Sequence, residues 1–308
     1  MRRLAATAIA VLAVTSLAVA ARTAAAAPAT GHYIVVLRDT AALRRAPANR
    51  IHRDHDYHHV LTGFSAALSP AELAALRTDP GVRYVVPDGA VHPDAGGPYR
   101  SDYGASEATG AGVTVYLADC HDESDVVRRV APAAQIVPVP VCAGPESAVI
   151  AAIDEITRQH QGPSVLSLGL SAGPSRALDD AVAASVTAGV VPVVSAGGTT
   201  IAGGAGGSAC GRSPGRSAAV ITVGVDAVRD FGTCLTLFAG TPLVAAAAAL
   251  YLEAHPTAPP AAVKAWLIAN AATGVLHRLP TGTPNRVLNI RAADATGWRS
   301  PRVMERSI

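Results

Sequence analysis

Two stretches of this chain carry residues with chemical capacity at positions a fold could use. Asp119 closes the apolar run Val113-Thr114-Val115-Tyr116-Leu117-Ala118, and Cys120 and His121 follow it. A carboxylate at a strand end can orient an imidazole, and an oriented imidazole can take a proton from a nucleophile. That is half of an acyl-transfer site; the rest is the nucleophile and donors for the oxyanion. Ser167-Leu168-Gly169-Leu170 and Ala196-Gly197-Gly198-Thr199 also end apolar runs. The second stretch holds His52, His55, His58 and His59. Spacings of three and four place them on one face if the segment is helical, where they could bind a metal. The plainer reading is a solvated helix, and it is the one adopted, with no metal site assigned.

The elements that must position these residues follow from pattern. Tyr33–Asp39, Leu61–Leu68 and Val82–Asp88 read as strands, with a helix expected in the His-rich stretch from Arg44 to His59. Ser69-Pro70-Ala71-Glu72 is a helix start, with Ser at the cap, Pro at the first position and Glu at the third. The pattern is β-α-β-β-α-β with one strand hard to place. His92–Tyr103 reads as a linker, and a second domain begins near Thr109. In it, strands at Val113–Asp119, Ala134–Val141, Ser164–Gly169, Val190–Ala196 and Val220–Val225 alternate with helices. The helices are Ser147–Gln159, Arg176–Ala188, Leu243–His255 and Ala261–Ala272. Such alternation predicts an α/β fold with a parallel sheet covered on both faces. Sites in such sheets lie at the carboxyl ends of the strands, which selects Asp119, Ser167–Leu170 and Ala196–Thr199.

Composition sets outer bounds. The chain has 308 residues, 50% hydrophobic and 16% charged, with net charge +2. That suits one or two domains with a sizeable core, and gives no reason to expect nucleic acid as partner. Arg2-Arg3, an apolar run from Leu4 to Ala21 and the small residues before Pro28 have the order of a secretory signal peptide. Cleavage would leave no membrane segment. Four cysteines in an exported chain suggest two disulfides, with three pairings open.

Tyr-Ile-Val-Val-Leu, Gly-Phe-Ser-Ala-Ala-Leu and Val-Arg-Tyr-Val-Val-Pro-Asp, within residues 32–91, resemble the inhibitor-like prosegment of subtilisin-like serine proteases (subtilases). Gly112–Asp119, Ser167-Leu168-Gly169, Ser195-Ala196-Gly197, Gly240-Thr241 with the Ala-rich run behind it, and Gly282-Thr283-Pro284-Asn285-Arg286 resemble, in order, phrases of the proteinase K-like branch. The resemblance implies a shortened subtilisin-like parallel sheet with helices on both faces, preceded by a small α+β, ferredoxin-like prodomain. The segments would be a signal peptide (1–27), an inhibitor-like propeptide domain (28–97) and a subtilase-like domain (98–308). It also implies roles. Asp119 is the family's acid, Ser167, Leu168 and Gly169 line the substrate, and Gly198 holds the oxyanion position. Cys120 would pair with Cys142 and Cys210 with Cys234. Calcium is common in the family, but no site carries over residue by residue, and no cofactor is assigned.

The catalytic phrases are degenerate. The family opens its nucleophile helix Gly-Thr-Ser-Met-Ala, whereas Pro242 follows Thr241 at once here. Thr241 is one position early, and one step on a helix turns a side chain by roughly 100°, so no nucleophile is assigned. The family's base lies on a His-Gly-Thr-His-Val-Ala-Gly helix several dozen residues after the Asp. Only eleven residues separate Asp119 from Ala131 here. His121 is the candidate base, although on an extended strand its backbone keeps it on the face of Asp119, and a solvated loop His is the better reading. Gly198 replaces the family's Asn, a donor whose loss costs about 10²–10³ in turnover, a figure measured on subtilisin itself. The leading expectation is a secreted, monomeric subtilase homologue without catalysis, whose uncut prosegment lies near Ser167–Leu170. It would bind peptides or proteins in its groove or through the prosegment. The alternatives are an active endopeptidase with a rearranged site and a metal-binding exported protein.

Overall fold

A computed structural model describes residues 30–45, 50–93, 106–197, 208–225 and 231–290. The expected signal peptide lies outside them, as do residues 94–103 of the expected linker, whose first two residues, His92 and Pro93, are strand instead because they pair with Ser171 and Leu170.

The amino-terminal unit is a four-stranded antiparallel sheet with one helix. Its elements are β1 (Gly31–Leu37), β2 (His55–Tyr57), β3 (Gly63–Leu68), α1 (Pro70–Thr78) and β4 (Val82–Pro87), in sheet order β2-β3-β1-β4. The expected capping box opens α1: Glu72 N donates to Ser69 Oγ, and the Glu72 carboxylate accepts Ser69 N at 2.8 Å. β1 is apolar on both faces because both are covered. Val35 and Leu37 pack with Phe64, Leu68 and Leu76 in the unit's own core, while Ile34 and Val36 face the second domain.

The His-rich stretch is not the expected helix. Among the described residues Thr40–Arg44 forms a 3-10 helix, and His55–Tyr57 is β2, which fills the place of the strand that the pattern leaves unassigned. Pairing with β3 dictates this, setting His55 opposite Ser65 and Tyr57 opposite Gly63. His55 alone lies on this edge strand, with His52 before it and His58 and His59 after it, so the shared helical face does not form. Among the described residues no three metal-ligating side chains gather.

The second domain is built on an eight-stranded, mostly parallel sheet. Its strands, given in sheet order, are β14 (Ala272–Thr273), β15 (Arg286–Val287), β13 (Leu237–Phe238), β12 (Ile221–Gly224), β11 (Val190–Ser195), β9 (Ser164–Leu168), β6 (Thr114–Asp119) and β7 (Gln135–Pro140). Along β6, Val115 and Leu117 face one core cluster while Tyr116 and Ala118 face the other. The first face carries α2 (Ser124–Val130), α5 (Thr241–Ala254) and α6 (Pro260–Asn270). The second carries α3 (Glu146–Gln159) and α4 (Arg176–Thr187). α5 is apolar all round and buried among β6, β9, β11, β12 and its neighbouring helices, as such a pattern requires. Its alanines let the sheet approach closely. α4 ends where Gly189 takes φ +100°. No described helix is long and apolar enough to cross a membrane.

A third, small sheet joins the two units. β5 (Ala90–Pro93) runs antiparallel between β8 (Gly144–Pro145) and β10 (Leu170–Ala172).

Candidate functional site

The parallel strands end together along one edge of the large sheet. Ala118, Leu168 and Val194 are register partners across β6, β9 and β11, so Asp119, Gly169 and Ser195 follow side by side. Ala239 N donates to Gly224 O at 3.1 Å past the end of β12, and Gly240 and Thr241 then open α5 on the same edge. The fold thus gathers the expected acid, the strand Ser167–Gly169, the turn after Ser195 and the start of the buried helix.

Asp119 is half-buried. Oδ1 accepts Cys120 N at 2.6 Å, and the carboxylate also takes the backbone N–H of His121. Burial dominates these bonds and pushes its pKa up to about 6, with Glu123 adding repulsion. Gly169 lies against Oδ2 so closely that a β-carbon there would overlap it. It is therefore the main chain of His121, not its ring, that hydrogen-bonds Asp119, and the side chain is exposed. α2 begins three residues later and packs against α5, with Val127 buried. The sequence reading did not separate this helix out.

Thr241 occupies the first turn of α5 and is only 4% exposed; Pro242, also buried, follows it. No side chain caps this helix start. Beyond β11, Gly197 takes φ +94° and its N–H donates to Ser195 Oγ at 2.9 Å, with the Arg212 side chain packed over it. The expected oxyanion position, Gly198, lies outside the described residues. The disulfides join Cys120 to Cys142 and Cys210 to Cys234, as the resemblance implied.

Ser167 and Leu168 lie inside the sheet, paired on both sides. The edge that receives another segment is two residues further on, where β10 pairs with β5: Leu170 opposes Pro93, Ser171 opposes His92 and Ala172 opposes Val91. On its other side Val91 opposes Gly144 and is 1% exposed. An extended segment of the amino-terminal unit therefore fills a groove leading toward Asp119 and Gly169.

Polar contacts fasten that unit to α3 and α4. Pro145 cannot cap α3; instead Asp88 accepts Ser147 N at 2.9 Å and Ser147 Oγ at 2.6 Å, while Gly89 O accepts Glu146 N. Asp154 accepts backbone N–H groups of His58, His59 and Val60. Tyr84 donates to Asp180 at 2.7 Å, and the Arg176 guanidinium stacks 4.1 Å from the Tyr84 ring. Sequence reasoning had no handle on these residues, because each looks like an ordinary surface group until the units meet.

Comparisons with known proteins agree with this architecture. Residues 32–94 match peptidase inhibitor I9, and residues 97–228 match the subtilase family. The chain is 30% identical over 333 aligned residues to an extracellular serine proteinase of Thermus sp. (strain Rt41A), covering 80% of each. It is 28% identical to alkaline serine exoprotease A of Vibrio alginolyticus, over 71% of this chain and 57% of that protein. Among solved structures, a cold adapted subtilisin-like serine proteinase aligns with TM-score 0.53 and 25% identity, over 64% of this chain and 95% of the other. Fervidolysin from Fervidobacterium pennivorans, a keratinolytic enzyme related to subtilisin, aligns with TM-score 0.64 at 14% identity, over 86% of this chain and 61% of the other, a likeness of fold. The phrases of residues 32–91, the parallel sheet with its buried helix, and the seated amino-terminal unit have one reading: the chain belongs to the subtilase family of subtilisin-like serine proteases and carries an inhibitor-like prosegment.

Proposed function

We propose that this is an exported subtilase homologue that does not hydrolyse peptide bonds and keeps its prosegment seated in the groove. The observation that carries the reading is the start of α5. There a buried Thr241 and Pro242 stand where the family places its nucleophile. The two hydrogen bonds to the Asp119 carboxylate come from backbone N–H groups, and among the described residues no imidazole hydrogen-bonds it. Residual acid without nucleophile or base supplies no useful rate, since triad members act as a unit.

What survives is binding. The edge of β10 takes an extended segment by main-chain pairing, the mode by which sheet edges capture peptides. The groove would accept other extended chains where the prosegment withdraws. Export is supported by the leader-like first 27 residues, by two disulfides, and by a relative named as extracellular.

The test is the intact mass of the secreted protein after incubation with a fluorophosphonate serine-hydrolase probe. An unlabelled chain, uncut between residues 92 and 100, is the expected result. A chain cut there and carrying one adduct would mean a working, rearranged endopeptidase and would sink the proposal.

A further inference from the structure

A cavity of about 250 Å³ opens on the opposite edge of the sheet from Asp119. It sits at the amino ends of the parallel strands: Ser217 precedes β12, Thr236 precedes β13, and Arg286 is the first residue of β15. α6 contributes Lys264, and Arg216 and Thr233 complete the polar lining. Among the described residues three cations line this cavity and no acid does.

The state of each cation decides what the cavity can hold. Arg216 is neutralised by Asp179, which it meets at 2.5 and 2.6 Å. Lys264 has no acidic partner among the described residues; its Nζ donates to Ala218 O at 2.8 Å and Val220 O at 2.7 Å. An ammonium has three donors, so one remains. Arg286 likewise has no acidic partner among the described residues, and one of its N–H groups reaches Thr236 O at 3.3 Å. Four of its five donors remain. Burial and the charge of Arg286 together hold the Lys264 ammonium below the usual lysine range, the sign of two like charges brought together without compensation. Anchoring to two backbone carbonyls fixes Lys264 in place. Ser217 and Thr233 add hydroxyl-bearing residues to the lining.

We propose that this cavity is a binding site for a small dianionic oxyanion, with inorganic phosphate or a compact phosphomonoester as the ligand class. Two cations without an acidic partner among the described residues match two negative charges. A planar guanidinium beside a point-charge ammonium provides both geometries that phosphate oxygens accept. The volume exceeds that of one oxyanion, leaving room for bridging water or a small ester group. Because the cavity lies at the other edge of the sheet, its occupancy is independent of any chemistry at Asp119. An anion there would tie α6, the loop before β12 and β15 to one another.

The test is calorimetric titration of the intact chain with sodium phosphate, sulfate, acetate and sodium chloride at matched ionic strength. Saturable binding of one phosphate per chain is expected, with sulfate similar and acetate weaker by about tenfold. Arg286→Gln should weaken phosphate by at least about tenfold, the effect of one lost charge-assisted hydrogen bond. Lys264→Met should do likewise, but it also releases two carbonyls. Arg286→Gln is therefore the deciding variant, checked for an unchanged circular-dichroism spectrum. Arg128→Gln, on exposed α2 surface, should bind as the parent does. Heat no different from that of chloride, acetate binding as tightly as phosphate, or an Arg286→Gln variant with parental affinity would each overturn the assignment.

Discussion

The carboxylate of Asp154 on α3 accepts the backbone N–H of Val60 in the prosegment at 2.8 Å, and those of His59 and His58 beside it. One side chain, 6% exposed, thereby satisfies three main-chain donors of a loop that has no regular partner. Asp154→Ala leaves those donors facing a buried gap, at a cost on the order of 2–4 kcal/mol. The expected outcome is a lower melting temperature together with faster proteolysis between Tyr57 and Leu61. Unchanged cleavage would show that apolar contacts alone hold the prosegment.

Tyr84 separates two contributions to the same docking. Tyr84→Phe removes the hydrogen bond to Asp180 but keeps the ring under Arg176, and should cost about 1 kcal/mol. Tyr84→Ala removes both and should cost clearly more. Equal losses in urea titrations would count against a role for the stacked guanidinium.

Gly169 has no room for a side chain. A β-carbon would overlap Asp119 Oδ2, so Gly169→Ala should destabilise by about 1–3 kcal/mol. Combining it with Asp119→Ala removes the obstacle, and the double variant should lose less than the sum of the singles. Additive losses would place the strain elsewhere.

Asp119 makes stability depend on pH in a definite direction. Its pKa is raised from 3.8 to about 6, so the folded chain holds the proton more tightly than the unfolded chain. That contribution is present in full below about pH 4 and is lost as pH rises through about 6. Asp119→Asn retains an acceptor for Cys120 N and carries no charge. At pH 7 it should be more stable than the parent by about 1–2 kcal/mol, a figure discounted for the solvent that reaches the group. At pH 4 the two should be equal. A variant less stable than its parent at pH 7 would mean that the ionised carboxylate is stabilising.

Cys210 and Cys234 close a loop with a sequence separation of 24. Replacing both with Ser should cost about 3 kcal/mol through unfolded-state entropy. Denaturant titration of the variant against the parent checks this, and a loss below about 1 kcal/mol would mean that the surrounding packing already confines the loop.

Much of the scaffold was legible in the chain because its signals are local. Ser69-Pro70-Ala71-Glu72 carries its own capping box, and the apolar runs ending at Asp119, Leu168 and Ser195 are long enough to read as buried parallel strands. Alternation of such strands with amphipathic helices then placed the candidate site at their carboxyl ends. Where the deciding partner was distant, the reading failed or fell silent. The histidine spacing suggested a helix, but hydrogen bonds from β3 and the burial of Tyr57 against α3 drew the segment into a strand.

The residue types alone fix that Pro242 follows Thr241 directly and that position 198 is a glycine with no side-chain amide, since no packing can change which atoms a position carries. Only tertiary structure decided that Val91 threads between Gly144 and Ala172, that Asp88 caps a helix belonging to the other unit, and that Lys264 and Arg286 share a cavity. Those relationships join segments far apart in the chain. Their energies come from burial and from pairing across space, which no local pattern records.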